Sequence, residues 1–120
     1  MPDDPVIDPQ AIANLRELSP DGAQEFLCEL IGVYLEDTPL RLAELDRAMA
    51  AQDASTLGKA AHTIKGSSSN FGAIRLSKLA QQIELQGKSG NVSGAGPLCS
   101  QLHVEYDLVA AALKRIAAGA

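Results

Sequence analysis

One stretch near the middle of the chain carries the strongest structural signal: residues 60–68 read Ala60-Ala61-His62-Thr63-Ile64-Lys65-Gly66-Ser67-Ser68. Its apolar residues recur at helical spacing, and His62 has one glycine four residues before it, Gly58, and another four residues after it, Gly66. Positions i−4, i and i+4 lie along one face of a helix, so the imidazole is flanked by residues without side chains. A glycine inside a helix costs about 1 kcal/mol relative to alanine. We therefore expect this helix to give up stability for access to the histidine ring.

The residues before this stretch contain four helix start signals. Asp8-Pro9 introduces a short helix, Ser19-Pro20-Asp21 a first long helix, and Thr38-Pro39 a second long helix that runs to about Gln52. Each places a capping side chain beside a proline that fits the first helical turn. Asp53 caps the helix that carries His62. The opposite face of that helix is its apolar stripe, which comprises Leu57, Ala60, Ala61, Ile64 and Ser68.

Two more helices are predicted after the short link around Gly72. The first carries an apolar stripe and ends near Gly87, where glycine can take a left-handed cap. Residues 87–97 are rich in Gly and Ser and are expected to form a loop, and residues 1–8 an extended N-terminal segment. The last helix follows this loop and carries an apolar stripe of Leu102, Tyr106, Val109, Leu113 and Ile116. The pattern predicts an all-α fold, an antiparallel four-helix bundle with a short additional N-terminal helix, in a single domain over residues 1–120.

Composition narrows the possible partners and location. The net charge is −5, and Lys and Arg are scattered among acids, whereas nucleic acid and anionic membranes require a concentrated basic surface. We therefore expect a protein partner, no nucleic acid and no membrane, and a monomer. No apolar run approaches the ~20 residues that span a bilayer, and the N-terminus is acidic, which favours the cytoplasm. Cys28 and Cys99 lie within apolar helical patterns and are expected to be reduced core thiols.

The residues around His62 favour phosphoryl chemistry. An exposed imidazole that titrates near neutral pH is a good nucleophile toward phosphorus. Lys65 lies on the same helix face at i+3, where its charge could offset charge on a transferred phosphoryl group, and Gly66 leaves room for a partner. The alternative is that His62 is a solvated surface residue, but the two glycines and the lysine favour a site. His103 lacks this context and is interpreted as structural or surface-exposed.

Residues 60–73 resemble the signature of the histidine-containing phosphotransfer (HPt) family of phosphorelays, and the resemblance extends over nearly the whole chain. It implies that His62 is the phosphorylated residue, that Lys65 is the charge partner of the phosphoryl group, and that Gly66 is kept small for docking of a receiver domain. Gly72 corresponds to the glycine at the turn between helices. Glu84 falls where the family carries an acid or amide that can orient the imidazole.

The resemblance also implies a receiver docking surface and a set of partners. Gly66, Ser69 and Ser55 are expected to contribute to that surface, and so is Gly58, which is not part of the family pattern. The partners would be receiver domains of response regulators and a hybrid sensor histidine kinase, and Mg²⁺ would belong to the receiver. The chain has no Gly-rich nucleotide loop and no metal-ligand spacing such as HxxH, so we expect a phosphocarrier with no ATP site, metal or cofactor of its own, and not an enzyme in its own right.

Two alternative functions remain open at this point. The chain could be a helical adaptor that binds and inhibits a receiver domain without carrying phosphate, or the histidine substrate domain of a larger kinase. The Met1 start and the Ala-Gly-Ala end favour a free-standing protein.

Overall fold

The computed structural model describes residues 4–119, and helices dominate this range. The helices are α1 Pro9–Glu17, α2 Ala23–Ala51, α3 Ala54–Ser69, α4 Ile74–Ser89 and α5 Gly96–Ala117, with a short 3-10 helix at Ser93–Ala95. No strand occurs among residues 4–119. The prediction of an all-α fold is confirmed.

The four long helices form a bundle around one apolar core. α3 packs between α2 and α4, and α5 completes the bundle by contacting both α2 and α4, while α1 lies against α2. The largest fully buried side chains come from every long helix and include Leu27, Leu45, Leu57, Ile83 and Leu102. The predicted stripe of the His62 helix is confirmed, because all five of its residues are buried.

The predicted break at Thr38-Pro39 is wrong, since α2 runs without interruption from Ala23 to Ala51 with Pro39 inside it. Proline removes one helical hydrogen bond and costs about 3 kcal/mol in a helix interior. The buried stripe of α2 continues through this point, however, with Tyr34 and Thr38 before the proline and Leu42 after it. Burial of these side chains in the bundle outweighs the local penalty. Merging the two predicted helices leaves four long helices, as a four-helix bundle requires.

The predicted start of α2 and the predicted end of α4 are also wrong. α2 begins after Gly22, which takes a left-handed conformation (φ 78°), and not at Ser19-Pro20-Asp21. The predicted loop over residues 87–97 is shorter, because α4 continues to Ser89 and ends at Gly90, also left-handed (φ 78°), while α5 begins at Gly96. Gly87 therefore lies inside α4. Its predicted role as a C-terminal cap belongs to Gly90, three residues later.

The other predicted caps and the link at Gly72 agree with the structure. The Asp8 carboxylate accepts a hydrogen bond from the backbone N–H of Gln10, and the Asp53 carboxylate accepts one from Thr56. Gly72 joins α3 to α4 with a positive φ of 69°, and the backbone N–H of Asp8 donates to its carbonyl at 2.9 Å. Asp8, which precedes α1, is thus attached to the α3–α4 turn, while residues 1–3 of the predicted extended segment lie outside the described residues.

Two glycines allow α3 and α4 to approach closely. A Cβ atom at Gly87 would lie 2.8 Å from both the Cα and the N of Gly58, and 2.9 Å from the carbonyl oxygen of Ala54. Real Cβ atoms do not approach backbone so closely, so position 87 must be glycine at this helix spacing. The contact lies one turn from Glu84 on α4 and one turn from His62 on α3. It therefore sets the distance across which these two side chains meet.

Candidate functional site

His62 projects from the side of α3 that faces away from the core. Its side chain is 67% exposed, whereas the preceding residue, Ala61, is completely buried. The Nδ1 atom of the ring lies 2.8 Å from Oε2 of Glu84 on α4. The ring is therefore anchored through one nitrogen and open to solvent at its outer edge.

Glu84 is the centre of this cluster. Its side chain is only 8% exposed, and its other carboxylate oxygen, Oε1, accepts a hydrogen bond from Nζ of Lys65 at 2.8 Å. Nζ of Lys88 lies 3.5 Å from Oε2. The hydrogen bond from Lys65, followed by the one from His62, lowers the pKa of Glu84 to about 2 although burial acts in the opposite direction. A buried carboxylate normally resists ionisation, so these basic partners keep Glu84 charged.

The charge on Glu84 determines which nitrogen of His62 carries the hydrogen in the neutral ring. An ionised carboxylate can only accept hydrogen bonds, so Nδ1 carries the hydrogen. In the neutral ring the lone pair then lies on Nε2. Within residues 4–119, no protein group forms a hydrogen bond with Nε2. The site thus presents an oriented, accessible nucleophilic nitrogen.

A groove between α3 and α4 runs beside the ring. A cavity of about 470 Å³ is lined by Ala54, Ser55, Gly58, Lys59, His62, Thr63, Glu84, Gly87 and Lys88. Gly58, expected to give clearance around the ring, instead packs against α4, and a Cβ atom there would lie 3.8 Å from the Cα of Gly87. It contributes to the groove through the close approach of the helices.

The remaining predicted docking residues surround the ring at different depths. Gly66 is exposed, and a Cβ atom added there would have no neighbour within 4 Å, so the surface one turn after His62 is open. Ser55 is an exposed residue on the wall of the groove. Ser69 is also exposed, and its hydroxyl donates to the carbonyl of Lys65 at 2.7 Å. The structure brings His62 and Lys65 each into direct contact with Glu84 and arranges the small residues around them.

Lys59, Lys88 and Gly87 lie near the site and were not identified as site residues from the sequence. Lys88 follows Glu84 by four positions, a spacing that places two side chains on the same helix face, and this signal would have found it. Gly87 was assigned to a loop, so its contact with Gly58 was not foreseen. His103, interpreted as structural or surface-exposed, lies on α5, where Nε2 is 2.9 Å from Oδ1 of Asp46.

Within the part of the chain that the structure describes, the two cysteines form neither a disulfide nor a metal site. Cys99 is buried and Cys28 half-buried, and both thiols are free. Burial raises the pKa of Cys99 to about 11, so its thiol stays protonated near neutral pH. Among residues 4–119, no three His, Cys, Asp or Glu side chains are arranged to hold a metal ion. Within the same residues, no helix combines the length and apolar character needed to cross a membrane.

Comparison with known proteins identifies the family. The Hpt domain family model matches residues 29–117, and the chain belongs to this family. It is 30% identical over 95 residues to histidine-containing phosphotransfer protein 2 of Arabidopsis thaliana, an alignment that covers 77% of this chain. It is 28% identical over 111 residues, 92% of this chain, to multistep phosphorelay regulator 1 of Schizosaccharomyces pombe. The chain spans 61% and 37% of the lengths of these two relatives.

Solved structures show the same architecture. Histidine-containing phosphotransfer protein B of Pseudomonas aeruginosa PAO1 superposes with a TM-score of 0.87 at 29% identity, covering 97% of each chain. The HPT domain of a sensor hybrid histidine kinase from Shewanella superposes with a TM-score of 0.78 at 20% identity over 96% of each chain, which supports the fold. The resemblance noted from residues 60–73 is therefore confirmed at the level of family and fold.

Proposed function

We propose that the protein is a phosphocarrier in a phosphorelay: His62 accepts a phosphoryl group from the aspartyl phosphate of one receiver domain and passes it to the aspartate of another. The observation that carries this proposal is the contact of the buried, ionised Glu84 with Nδ1 of His62, which leaves Nε2 exposed as the nucleophile. The small residues around the ring give a receiver active site room to approach.

Phosphoryl transfer from the aspartate of the receiver to His62 requires no proton transfer. The Nε2 lone pair attacks phosphorus as the bond from phosphorus to the aspartate oxygen breaks, and the electron pair of that bond returns to the carboxylate. The ring becomes an imidazolium, whose positive charge lies beside Glu84. In the onward step the bond from Nε2 to phosphorus breaks, its electron pair returns to Nε2, and the neutral imidazole leaves with its hydrogen still on Nδ1.

Lys65 supplies positive charge beside the reacting group. Its Nζ is held by Glu84 on the same face of the bundle as the ring. There it can offset the charge that spreads over the equatorial oxygens of the phosphoryl group during in-line transfer. The Mg²⁺ ion and the carboxylates that bind it belong to the receiver. We propose that this chain has no ATP site of its own, so that a hybrid sensor kinase supplies the phosphoryl group from ATP. We also propose that this chain works as a cytoplasmic monomer.

The test is phosphoryl transfer from a phosphorylated receiver domain. The purified protein is incubated with that receiver and Mg²⁺, and acid-labile, alkali-stable phosphate on the protein is measured for wild type, His62→Gln and His103→Gln. We expect phosphate on wild type and His103→Gln and a fall to background in His62→Gln, since only His62 presents an open nitrogen beside a buried carboxylate. Circular dichroism of the variants verifies that the fold is retained.

Two results would contradict the proposal. Phosphate on His62→Gln would place the acceptor elsewhere. Binding of receivers without any transfer, with partner regulation unchanged in His62→Gln, would favour the adaptor function, in which the protein acts by occupancy alone.

A further inference from the structure

Positive charge is concentrated in one part of this acidic molecule. Residues 54–89, which comprise α3, α4 and the turn between them, contain five basic residues and a single acid, Glu84, a net charge of +4. The whole chain has a net charge of −5, so the remaining residues carry −9. Five of the ten Lys and Arg residues lie in this range, whereas 14 of the 15 Asp and Glu residues lie outside it, so the charge difference comes mainly from the near absence of acids in these two helices.

Four lysines line the α3–α4 groove on either side of the reactive ring. Lys59 and Lys88 line the cavity beside His62, and Lys65 and Lys78 line a second cavity of about 250 Å³ farther along the same two helices. The fifth basic residue, Arg75, is directed to α5, where it pairs with Glu105 at 2.8 Å. The groove residues therefore carry four positive charges against the one buried carboxylate of Glu84.

These lysines differ in how far their charges are already neutralised. Lys65 is bound to Glu84, and Lys78 pairs with Asp4 at 2.8 Å. Lys88 is 69% exposed and lies 3.5 Å from Glu84, a carboxylate that already has two closer partners. Lys59 is exposed and forms no salt bridge with any residue in 4–119. Lys59 and Lys88 therefore offer their charge to a partner, one from each wall of the groove.

We infer that this lysine groove docks an acidic surface that surrounds the phosphoryl-bearing aspartate of the receiver domain. The inference rests on the proposed function. It adds that the docking face of the partner is negatively charged and that the groove lysines recognise this charge. A receiver must carry carboxylates to hold Mg²⁺, so its active-site face is the natural complement of the groove. Elsewhere this chain is acidic and repels such a face. Attraction at one face combined with repulsion at the others orients the encounter and raises the association rate.

The test compares two double variants with the same change in net charge. Lys59→Gln/Lys88→Gln removes one exposed charge from each wall of the cavity beside His62, and Lys114→Gln/Arg115→Gln removes two exposed charges from the last turn of α5. The rate of phosphoryl transfer from the receiver that phosphorylates wild type is measured against receiver concentration at several NaCl concentrations.

We expect the groove variant to lower the second-order rate constant about tenfold at low salt and to flatten its salt dependence. The α5 variant should follow wild type within about twofold. Equal effects of the two variants, or a groove variant that behaves as wild type at every salt concentration, would overturn the inference.

A binding measurement separates this inference from the proposed function. In a His62→Gln background, which cannot carry phosphate, fluorescence anisotropy reports the affinity for the same receiver and for a panel of other receivers. Binding that weakens with salt and with Lys59→Gln/Lys88→Gln supports the docking surface even if no receiver transfers phosphate. Absence of receiver binding, or tighter lysine-dependent binding to a short DNA duplex than to any receiver, would contradict it.

Discussion

Residues 4–119 contain two histidine–carboxylate pairs that join neighbouring helices, and only one of these pairs has the features of a reactive site. His62 meets Glu84 across α3 and α4 through Nδ1 at 2.8 Å. His103 meets Asp46 across α5 and α2 through Nε2, at 2.9 Å and 3.0 Å from the two carboxylate oxygens. The distances alone do not distinguish the two pairs.

The surroundings of the carboxylates do distinguish them. Glu84 is 8% exposed and held by Lys65, whereas Asp46 is 53% exposed and solvent screens its charge. The contact also engages different ring nitrogens, so His62 keeps Nε2 open at the protein surface while His103 has Nε2 occupied. A histidine thus becomes a candidate phosphoryl acceptor through a buried anchor behind the ring and open space in front of it, and not through the presence of a carboxylate.

Removing the carboxylate charge from each pair tests this contrast most directly. Glu84→Gln keeps an acceptor near Nδ1 but loses the negative charge that faces the imidazolium, so we expect phosphoryl transfer to slow about tenfold or more, equivalent to ~1.4 kcal/mol, a magnitude typical of charge-assisted hydrogen bonds. Asp46→Asn should leave the rate unchanged. Transfer rates measured at one receiver concentration below saturation compare the two variants, and equal slowing would remove the distinction between the pairs.

The next largest effect should come from the glycine contact that brings Glu84 within reach of His62. Gly87→Ala places a Cβ atom 2.8 Å from backbone atoms of Gly58, so α3 and α4 must separate, at a cost of about 1–3 kcal/mol. Gly66→Ala is the matched control, because its Cβ would have no neighbour within 4 Å and alanine favours a helix by about 0.5–1 kcal/mol.

Urea denaturation of both glycine variants measures the two free energies of unfolding. Gly87→Ala should also slow phosphoryl transfer, since a wider helix spacing stretches the contact from His62 to Glu84, while the contact from His103 to Asp46 is unaffected. A stable Gly87→Ala protein would show that the close approach of the two helices is not required.

A smaller effect should appear in the stability of the protein at acid pH. Because its partners depress the pKa of Glu84 from 4.5 to about 2, the ionised carboxylate contributes stability that is fully present above pH 4.5 and is lost as the pH falls toward 2. The free energy of unfolding of wild type minus that of Glu84→Gln should therefore shrink across this window, by about 1 kcal/mol given the solvent exposure of the His62 and Lys65 partners. A difference that stays constant between pH 5 and pH 2 would contradict the assigned coupling.

The smallest effect should come from breaking the second pair. His103→Gln removes an exposed contact to Asp46, and exposed polar pairs contribute about 0.2–1 kcal/mol. Thermal unfolding at pH 6 and pH 8 measures the loss, which should stay within that range at both values. A loss larger than that of Gly87→Ala would mean that His103 has a structural role comparable to the glycine contact beneath Glu84.

The sequence predicted most of the helical architecture because burial in a bundle follows a repeating pattern. The five-residue stripe on α3 and the caps at Asp8 and Asp53 depend on contacts within a few residues, and all of them are present. The helix break predicted at Pro39 was wrong because the destabilising effect of a proline is visible in the local sequence, whereas the burial of the apolar stripe of α2 against other helices is not. Gly87 was wrongly predicted to end α4 for the same reason. Its presence inside α4 is explained only by the close approach of the Gly58 backbone on the neighbouring helix.

Within the site, the pattern around His62 pointed to the acceptor and to Lys65 through helix spacing alone, and these assigned roles stay predictions until transfer is measured. By itself, then, the sequence determined the all-α fold class, the buried faces of the helices and the family. Only the tertiary structure decided that Glu84 contacts both His62 and Lys65, that Gly87 sets the spacing across which they meet, and that lysines from α3 and α4 line one groove. The reason is that contacts between helices join residues about twenty positions or more apart. Helical periodicity shows which residues share a face of one helix, but it does not show which residues of two helices meet.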